Sequence, residues 1–116
     1  MMDIFKAFPK EEACLIHGDL WSGNYIIDPQ DNAYLIDPSI SFSNREMDIA
    51  MMQLFGNYPQ VVYKAYNEHL PLNDGWEDRI KYFQLYYLLV HLNIFGSGYL
   101  NSVQSILFNA KNEWKN

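Results

Sequence analysis

Cysteine is nearly absent from this sequence: Cys14 is the only one in 116 residues. A lone cysteine excludes an internal disulfide, and residues 1–10 lack the apolar stretch of a secretory signal peptide. We therefore expect a reducing compartment, with the cytoplasm as the default. Long hydrophobic runs are also lacking. The most apolar stretch, residues 82–95, is interrupted by polar side chains, so it predicts a buried helix and not a membrane span.

Basic residues are few as well. Eight Lys and Arg stand against fourteen Asp and Glu, which gives a formal net charge of −6 and a pI near 4.8. This balance argues against nonspecific binding to nucleic acid or to an anionic membrane, because both depend on basic patches. No histidine or cysteine spacing matches a zinc signature. Apolar residues are abundant instead: 49% hydrophobic and 16% aromatic residues indicate a packed globular domain over residues 1–116.

The pattern of apolar residues changes near Asn44 and predicts an α+β fold. Before that point, the short runs "CLI", "YIID" and "AYLID" are typical of strands, and the turn residues of "PQDN" predict a hairpin over residues 25–37. After it, residues 44–114 have the apolar spacing of helices. The predicted order is a strand, a loop within residues 15–24, the hairpin and four helices.

Capping residues predict where these helices begin and end. Ser43 followed by Glu46 has the spacing of a capping box, which predicts a first helix from about Asn44. A second helix lies within "PQVVYKAYNEHL", and a third begins near Trp76 and ends at "GSG". The third helix is apolar nearly all round, which predicts a buried, central position. The residues "YLNSVQSILFNAKNEW" predict a last amphipathic helix.

The stretch "LIHGDLWSGN", Leu15 to Asn24, has the residue types and spacing of a phosphoryl-transfer loop. Such a site needs a carboxylate to accept the proton of the acceptor hydroxyl, and oxygen ligands for the Mg²⁺ that bridges the nucleotide phosphates. Asp19 is a candidate for the base, and Asn24 follows it at the distance of the kinase catalytic loop. Asp37 ends an apolar strand after the hairpin, where a buried carboxylate is costly without a cation, and is a candidate second metal ligand.

Simpler roles remain open at these positions. Asp19, Asn24 and Asp37 can each serve as turn residues. His17 is better explained as a residue that holds the loop backbone beside Asp19 than as a proton carrier. Asp48 has two interpretations of equal weight: it complements the dipole of the first helix, or it reaches back to hydrogen-bond the loop. A hydrolase that uses a carboxylate pair leaves the asparagine without a role.

Several segments together resemble the fructosamine kinase (ketosamine-3-kinase) family, which is related to the aminoglycoside phosphotransferases. They are "LIHGDLWSGN", "LIDPS", "NREMDIAM", "LFGNYP" and "GWEDRIKYFQLYYLLVHLNIFGSGY", and the likeness extends from about Cys14 to Tyr99. "HGD" alone resembles the wider phosphotransferase and choline kinase group, and the later segments narrow the resemblance to the fructosamine kinases. The resemblance implies an enzyme that uses ATP and Mg²⁺ to phosphorylate a sugar hydroxyl of a ketosamine, on a small molecule or a glycated protein, so that the amine is released.

Catalytic roles also follow from the resemblance. It implies that Asp19 is the catalytic base and that His17 and Asp48 support the catalytic loop. It implies that Asn24 and Asp37 are the ligands of the Mg²⁺ that accompanies ATP.

Two aromatic residues are candidates for the substrate cleft. Trp21 directly follows "HGDL" and can stack on a sugar, because apolar sugar faces pack on aromatic rings; core packing is an equal alternative. His91, on the predicted third helix, is the second candidate. Both assignments rest on the resemblance and on side-chain chemistry.

The fold that the resemblance implies is the mostly helical C-lobe of a protein-kinase-like (aminoglycoside phosphotransferase-like) fold with a small β-hairpin. A complete family member has a nucleotide-binding small lobe with a glycine-bearing loop, and no such loop precedes "HGD" here. We therefore expect a C-lobe portion with the N-lobe absent and little kinase activity on its own. The alternatives are an aminoglycoside-type or choline-type kinase of the same fold, and a noncatalytic domain that self-associates through the face left by the missing lobe.

Overall fold

The computed structural model describes residues 8–54 and 58–113. Within these residues the elements are strands β1 Cys14–Ile16, β2 Tyr25–Ile27, β3 Ala33–Leu35 and β4 Ser41–Ser43, and helices α1 Glu46–Leu54, α2 Gln60–His69, α3 Trp76–Phe95 and α4 Leu100–Glu113. Two 3-10 turns lie at Ser22–Asn24 and Ser97–Tyr99. The mixed α+β order is confirmed, with one strand more than predicted. Residue 114, the predicted end of the last helix, lies outside the described residues.

Strands β2 and β3 form the predicted hairpin. They pair antiparallel with Ile26 opposite Tyr34. The turn between them is closed by Asp28, whose carboxylate accepts hydrogen bonds from the backbone N–H groups of Asn32 and Gln30, both at 2.9 Å. Hydrogen bonding to Asn32 and its neighbours lowers the pKa of Asp28. The "PQDN" signal located the turn but did not identify the aspartate that holds it.

Strand β4 was not predicted. It pairs antiparallel with β1, with Leu15 opposite Phe42 and Ile16 opposite Ser41. Its sequence, Ser-Phe-Ser, is short and polar on both sides of one aromatic residue, so local pattern gives no strand signal. The strand exists because β1, far away in sequence, supplies its hydrogen-bonding partners.

Helix α1 begins with a different cap from the one predicted. The backbone N–H of Glu46 donates to Oδ1 of Asn44 at 2.8 Å, while the hydroxyl of Ser43 contacts the sulfur of Met47 at 3.0 Å. The carboxylate of Glu46 turns to helix α3 and accepts hydrogen bonds from Nε and Nη2 of Arg79, both at 3.0 Å. Glu46 is 0% exposed and Arg79 is 6% exposed. The capping-box prediction is wrong because a cationic partner on α3 engages the carboxylate.

The core lies between α1, α2 and α3. Its buried members are Leu20, Ile49, Ala50, Met52, Tyr63 and Ile80. The prediction that α3 is a buried helix holds for Ile80, Tyr87 and Leu88, which are buried, and is wrong for much of the rest of the helix: Tyr86, Ile94 and Phe95 are 58%, 66% and 67% exposed. In the described structure, α3 contacts α1, α4 and the 3-10 turn at Ser97–Tyr99. None of the helices in the described ranges is both long and apolar enough to cross a membrane.

Candidate active site

The loop between β1 and β2 holds Asp19 and Asn24 side by side. Nδ2 of Asn24 donates to the backbone oxygen of Asp19 at 2.8 Å and to its carboxylate Oδ2 at 3.2 Å. Asn24 is buried at the end of the 3-10 turn, and its backbone N–H donates to the carbonyl of Trp21 at 2.9 Å. The five-residue spacing therefore closes a compact loop. Because Nδ2 faces Asp19, the amide oxygen, the atom that a cation would require, points to the other side of the amide group.

His17 holds this loop against the end of the hairpin. Its Nδ1 lies 3.2 Å from the backbone N–H of Asp19, and its Nε2 lies 2.8 Å from the carbonyl of Ile36. An N–H group can only donate and a carbonyl can only accept, so these contacts assign the ring proton to Nε2. Both ring nitrogens are then used in backbone hydrogen bonds. This geometry suits a residue that fixes the backbone beside Asp19 and does not suit a proton carrier.

Asp48 binds the first half of the loop. Its Oδ2 accepts a hydrogen bond from the backbone N–H of His17 at 2.8 Å, and its Oδ1 accepts one from that of Gly18 at 2.9 Å. Asp48 also lies in the first turn of α1, where a carboxylate complements the helix dipole. The structure thus shows contacts to the loop in addition to the favourable position on the helix. Through them α1 is attached to residues 17 and 18.

Asp37 follows strand β3 in an uncommon conformation. Its φ is 50°, in the left-handed region that non-glycine residues rarely adopt and that is often found at functional sites. Its neighbours are tied to the loop: Ile36 donates from its N–H to the carbonyl of Asn24 at 2.9 Å, and Ser39 donates to that of His17 at 2.8 Å. These bonds keep the chain at Asp37 next to the Asp19–Asn24 loop. Its side chain is exposed, so the argument from a costly buried carboxylate does not apply here.

The oxygen groups near the loop match what Mg²⁺ binds. Among the described residues, no group of three or more His, Cys, Asp and Glu side chains is arranged to hold a metal by itself. The candidate set combines the carboxylate of Asp37 with the amide oxygen of Asn24. Protein sites for Mg²⁺ commonly use one or two such ligands and leave the other positions to water and substrate phosphates. The donor chemistry therefore fits a metal that arrives with a nucleotide.

A cleft of about 440 Å³ opens at Asp19 and is lined by Asp19, Trp21, His91 and Tyr99. The structure thus brings together the candidate base and both candidate substrate residues. Trp21 is 41% exposed, which argues against a role in core packing. A larger hollow of about 740 Å³, lined by Tyr63, Lys64 and Trp76 among others, contains none of the candidate site residues.

Tyr99 was missed by the sequence analysis. It ends the 3-10 turn after α3, and its ring centroid lies 5.3 Å from that of His91. Nδ1 of His91 lies 2.8 Å from the carbonyl of Tyr87 one turn earlier in the helix. The only sequence signal was the aromatic residue directly after "GSG", where a helix ends and the chain reverses. Side chains that follow such a turn can return to the face of the preceding helix.

Tyr87 is a buried tyrosine of α3. Burial, together with the negative charges of Asp48 and Asp19, raises the pKa of Tyr87 above its usual range. The phenol is therefore neutral at physiological pH. The residue is 6% exposed.

Gly18 occupies a position that only glycine fits. Its φ is 87°, and a Cβ added there would overlap the carbonyl oxygen of Ser39. We expect Gly18→Ala to lower the free energy of unfolding by about 1–3 kcal/mol or more, the typical cost of such backbone strain. Urea unfolding measures the change. Gly98→Ala is the matched control because a Cβ at Gly98 meets no atom within 4 Å; an equal loss in both variants would contradict the prediction.

Comparison with known proteins identifies similar sequences and structures. The family model described as "Fructosamine kinase" matches residues 2–113. A "Probable ketoamine kinase" of Enterococcus faecium is 50% identical over 95 residues, which cover 82% of this chain and 34% of that protein. The "Protein-ribulosamine 3-kinase, chloroplastic" of Arabidopsis thaliana is 40% identical over 96 residues, which cover 83% of this chain and 29% of that protein.

A solved structure is similar as well. It is titled a "putative fructosamine-3-kinase" from Thermobifida fusca, and it matches with a TM-score of 0.80 at 44% sequence identity, over 86% of this chain and 35% of that chain. The chain therefore spans about a third of the length of the relatives that it matches.

Proposed function

This chain belongs to the fructosamine kinase family, and on that premise we propose that it carries the catalytic loop and the metal ligands of a ketosamine kinase. The reaction is transfer of the γ-phosphoryl group of ATP to a sugar hydroxyl of a ketosamine, borne by a small molecule or by a glycated protein, in the cytoplasm. In this proposal the chain corresponds to the C-lobe of a protein-kinase-like fold, with the catalytic loop at 15–24, the hairpin at 25–37 and the helical part predicted at 44–114, of which the structure describes 44–54 and 58–113. The observation that carries it is the cleft in which Asp19 meets three aromatic side chains.

Asp19 is the proposed base of this reaction. The hydroxyl oxygen of the sugar forms a bond to the γ-phosphorus, the bond from that phosphorus to the leaving oxygen of ADP breaks, and the hydroxyl proton passes to the carboxylate of Asp19. Nδ2 of Asn24 donates to Oδ2 of this carboxylate and also to the backbone oxygen of Asp19, which holds both in the loop. Asp48 and His17 hydrogen-bond the loop backbone that carries this carboxylate and hold it in place. Positioning of this kind is the main contribution of a protein to phosphoryl transfer.

The metal ligands in this proposal are Asn24 and Asp37. Their amide and carboxylate oxygens would hold Mg²⁺, which would neutralise negative charge on the nucleotide phosphates. The backbone hydrogen bond from Ile36 to Asn24 supports the pairing, because it keeps the start of the turn at Asp37 beside the loop.

The substrate residues in this proposal are Trp21, His91 and Tyr99. An aromatic wall suits the apolar face of a sugar, and a carboxylate at the same cleft suits its hydroxyl groups. A ketosamine presents both. A substrate screen distinguishes a ketosamine kinase from a related kinase that acts on an aminoglycoside-type or choline-type substrate.

The metal site is tested by calorimetric titration of Mg·ATP into the chain. We expect Asp37→Ala to weaken binding at least about tenfold, because loss of one charged ligand removes on the order of 1.4 kcal/mol or more. Asp78→Ala is the matched control, since Asp78 is an exposed aspartate in the first turn of α3. Equal affinities for wild type and Asp37→Ala would exclude Asp37 as a ligand.

Turnover is tested in a hybrid protein as well as in the chain itself. Residues 14–99 replace the corresponding part of the Enterococcus faecium relative, which supplies the remaining two thirds of a protein of that length. Phosphorylation of a fructosyl amine is followed by mass spectrometry. A folded hybrid that binds Mg·ATP but phosphorylates no ketosamine would contradict the proposal.

A noncatalytic, self-associating domain is the second candidate. Leu15, Ile40 and Phe42, on or next to the β1–β4 pair, are 59%, 65% and 75% exposed. Exposed apolar groups of this kind favour association. Dimerisation that depends on concentration, observed by sedimentation together with no binding of Mg·ATP or ketosamine, would favour this candidate.

A further inference from the structure

The position of Trp21 depends on three contacts. Its carbonyl accepts a hydrogen bond from the backbone N–H of Asn24 at 2.9 Å and lies 3.5 Å from the hydroxyl of Tyr58. Its indole ring covers Gly23, where an added Cβ would overlap the ring. Two of these contacts lie within the loop itself. Tyr58 is the contact that comes from another part of the chain, just before α2.

Tyr58 is itself held by its neighbours. Its ring centroid lies 4.8 Å from that of Tyr25, the first residue of β2, and 6.5 Å from that of Tyr63 on α2. Aromatic pairs at these separations are stabilising beyond the area that they bury. The hydroxyl also lies 3.3 Å from the carbonyl of Leu20. The ring is thus fixed by packing while the hydroxyl reaches two consecutive carbonyls of the loop.

Besides the packing of Leu20 in the core, two side chains of the described helical part hydrogen-bond the loop backbone. Asp48 binds the N–H groups of residues 17 and 18, and Tyr58 binds the carbonyls of residues 20 and 21. Asp19 lies between the two attachments. Asp48 binds backbone N–H donors before Asp19, and Tyr58 contacts backbone carbonyl acceptors after it. The two side chains therefore do not compete for the same backbone groups.

We propose that Tyr58 is a positioning residue that sets the location of Trp21 over the cleft, and thereby the affinity for the sugar of a ketosamine. The identity of the substrate in this inference rests on the proposed function, whereas the contacts between Tyr58 and the loop do not depend on it. Tyr58 is not among the residues that line the cleft, and it acts through the backbone of Leu20 and Trp21.

The hydroxyl must be protonated to donate, and its single hydrogen is shared between the two carbonyls at 3.3 and 3.5 Å. Burial, together with the nearby Tyr25, Tyr63 and Asp48, raises the pKa of Tyr58 to about 12. The donor is therefore present throughout the neutral and moderately alkaline range. Substitution by phenylalanine keeps the ring packing and removes only the hydroxyl.

The first measurement compares hydrogen exchange at the loop amides in wild type, Tyr58→Phe and Tyr63→Phe. Tyr63 belongs to the same aromatic cluster and has no hydrogen bond to residues 20 and 21 among the contacts described for it, so its variant controls for a lost buried hydroxyl. We expect the amide of Asn24, which is bonded to the Trp21 carbonyl, to exchange several-fold faster in Tyr58→Phe only. Unchanged exchange in Tyr58→Phe would overturn the proposal.

The second measurement is calorimetric titration with a fructosyl amine and, separately, with Mg·ATP. We expect Tyr58→Phe to weaken binding of the fructosyl amine roughly 3- to 10-fold, which corresponds to the loss of one ordinary hydrogen bond, and to leave Mg·ATP affinity unchanged. A general structural role would weaken both. Faster exchange with unchanged affinity for the sugar would also overturn the proposal. If neither the wild-type chain nor the hybrid protein binds a fructosyl amine, the proposed function fails, and the exchange result still decides whether Tyr58 holds the loop.

Discussion

Asp19→Asn should lower the rate of ketosamine phosphorylation by about 10²- to 10⁴-fold in the hybrid protein, the usual contribution of a general base. An amide cannot accept the proton of the attacking hydroxyl. The side-chain oxygen of the new asparagine can still accept the hydrogen bond that Nδ2 of Asn24 now makes to Oδ2 at 3.2 Å. The loop should therefore keep its shape. Single-turnover kinetics measure the loss, and calorimetry checks that Mg·ATP and the fructosyl amine still bind.

The matched control for this substitution is Asp78→Asn. It removes the same charge by the same change of side chain, but at an exposed position on α3 away from the cleft. Its rate should equal that of the parent protein. An Asp19→Asn variant that retains the parent rate would show that another group accepts the proton.

Arg79→Met should lower the free energy of unfolding by about 3–5 kcal/mol, the usual cost of breaking a buried ion pair on one side. The carboxylate of Glu46 is 0% exposed and receives two hydrogen bonds from Arg79, both at 3.0 Å. Without the guanidinium, this carboxylate stays in the core without its countercharge. Urea unfolding followed by circular dichroism measures the loss. An unchanged slope with denaturant shows that stability, and not the extent of unfolding, has changed.

The double variant Glu46→Leu/Arg79→Met tests the cause of that loss. Replacing both partners by apolar side chains of similar volume removes the unpaired charge, and such replacements are often neutral or stabilising. We expect the double variant to recover most of the stability lost in Arg79→Met. A double variant as unstable as the single one would show that the loss comes from packing or from the hydrogen bonds of Arg79 to the carbonyls of Asn73 and Asp74.

The candidate site was predictable where its residues are close in sequence. Asp19 and Asn24 lie on one loop, and a five-residue separation is enough for the amide to reach the carboxylate. His91 and Trp21 were placed at a common cleft from the resemblance, and the structure brings both to Asp19. Tyr99 was not predicted as a site residue, because no periodic pattern relates a residue after a turn to the face of the helix before it.

Contacts between distant residues explain the errors in the predicted fold. Glu46 has the spacing of a capping-box residue, yet Arg79, 33 positions later, engages its carboxylate. Strand β4 has no local signal and exists through its pairing with β1. Tyr58 and Leu20 are separated by 38 positions, so their hydrogen bond has no sequence pattern. At Glu46 the free energy of a tertiary contact outweighs a local preference of smaller size, whereas β4 and the bond of Tyr58 have no local signal at all.

The sequence by itself determined the α+β class, the order of the strands other than β4 and of the helices, the hairpin and the loop that contains Asp19 and Asn24. These features follow from the apolar period, turn chemistry and short spacings, which act between neighbouring residues. Only the tertiary structure decided which side chains meet across the molecule: Asp48 and Tyr58 at the loop, Arg79 at Glu46, and His91 with Tyr99 at the cleft. The physical reason is that a hydrogen bond or a ring contact depends on distances in space, and the packing of α1, α2 and α3 sets those distances.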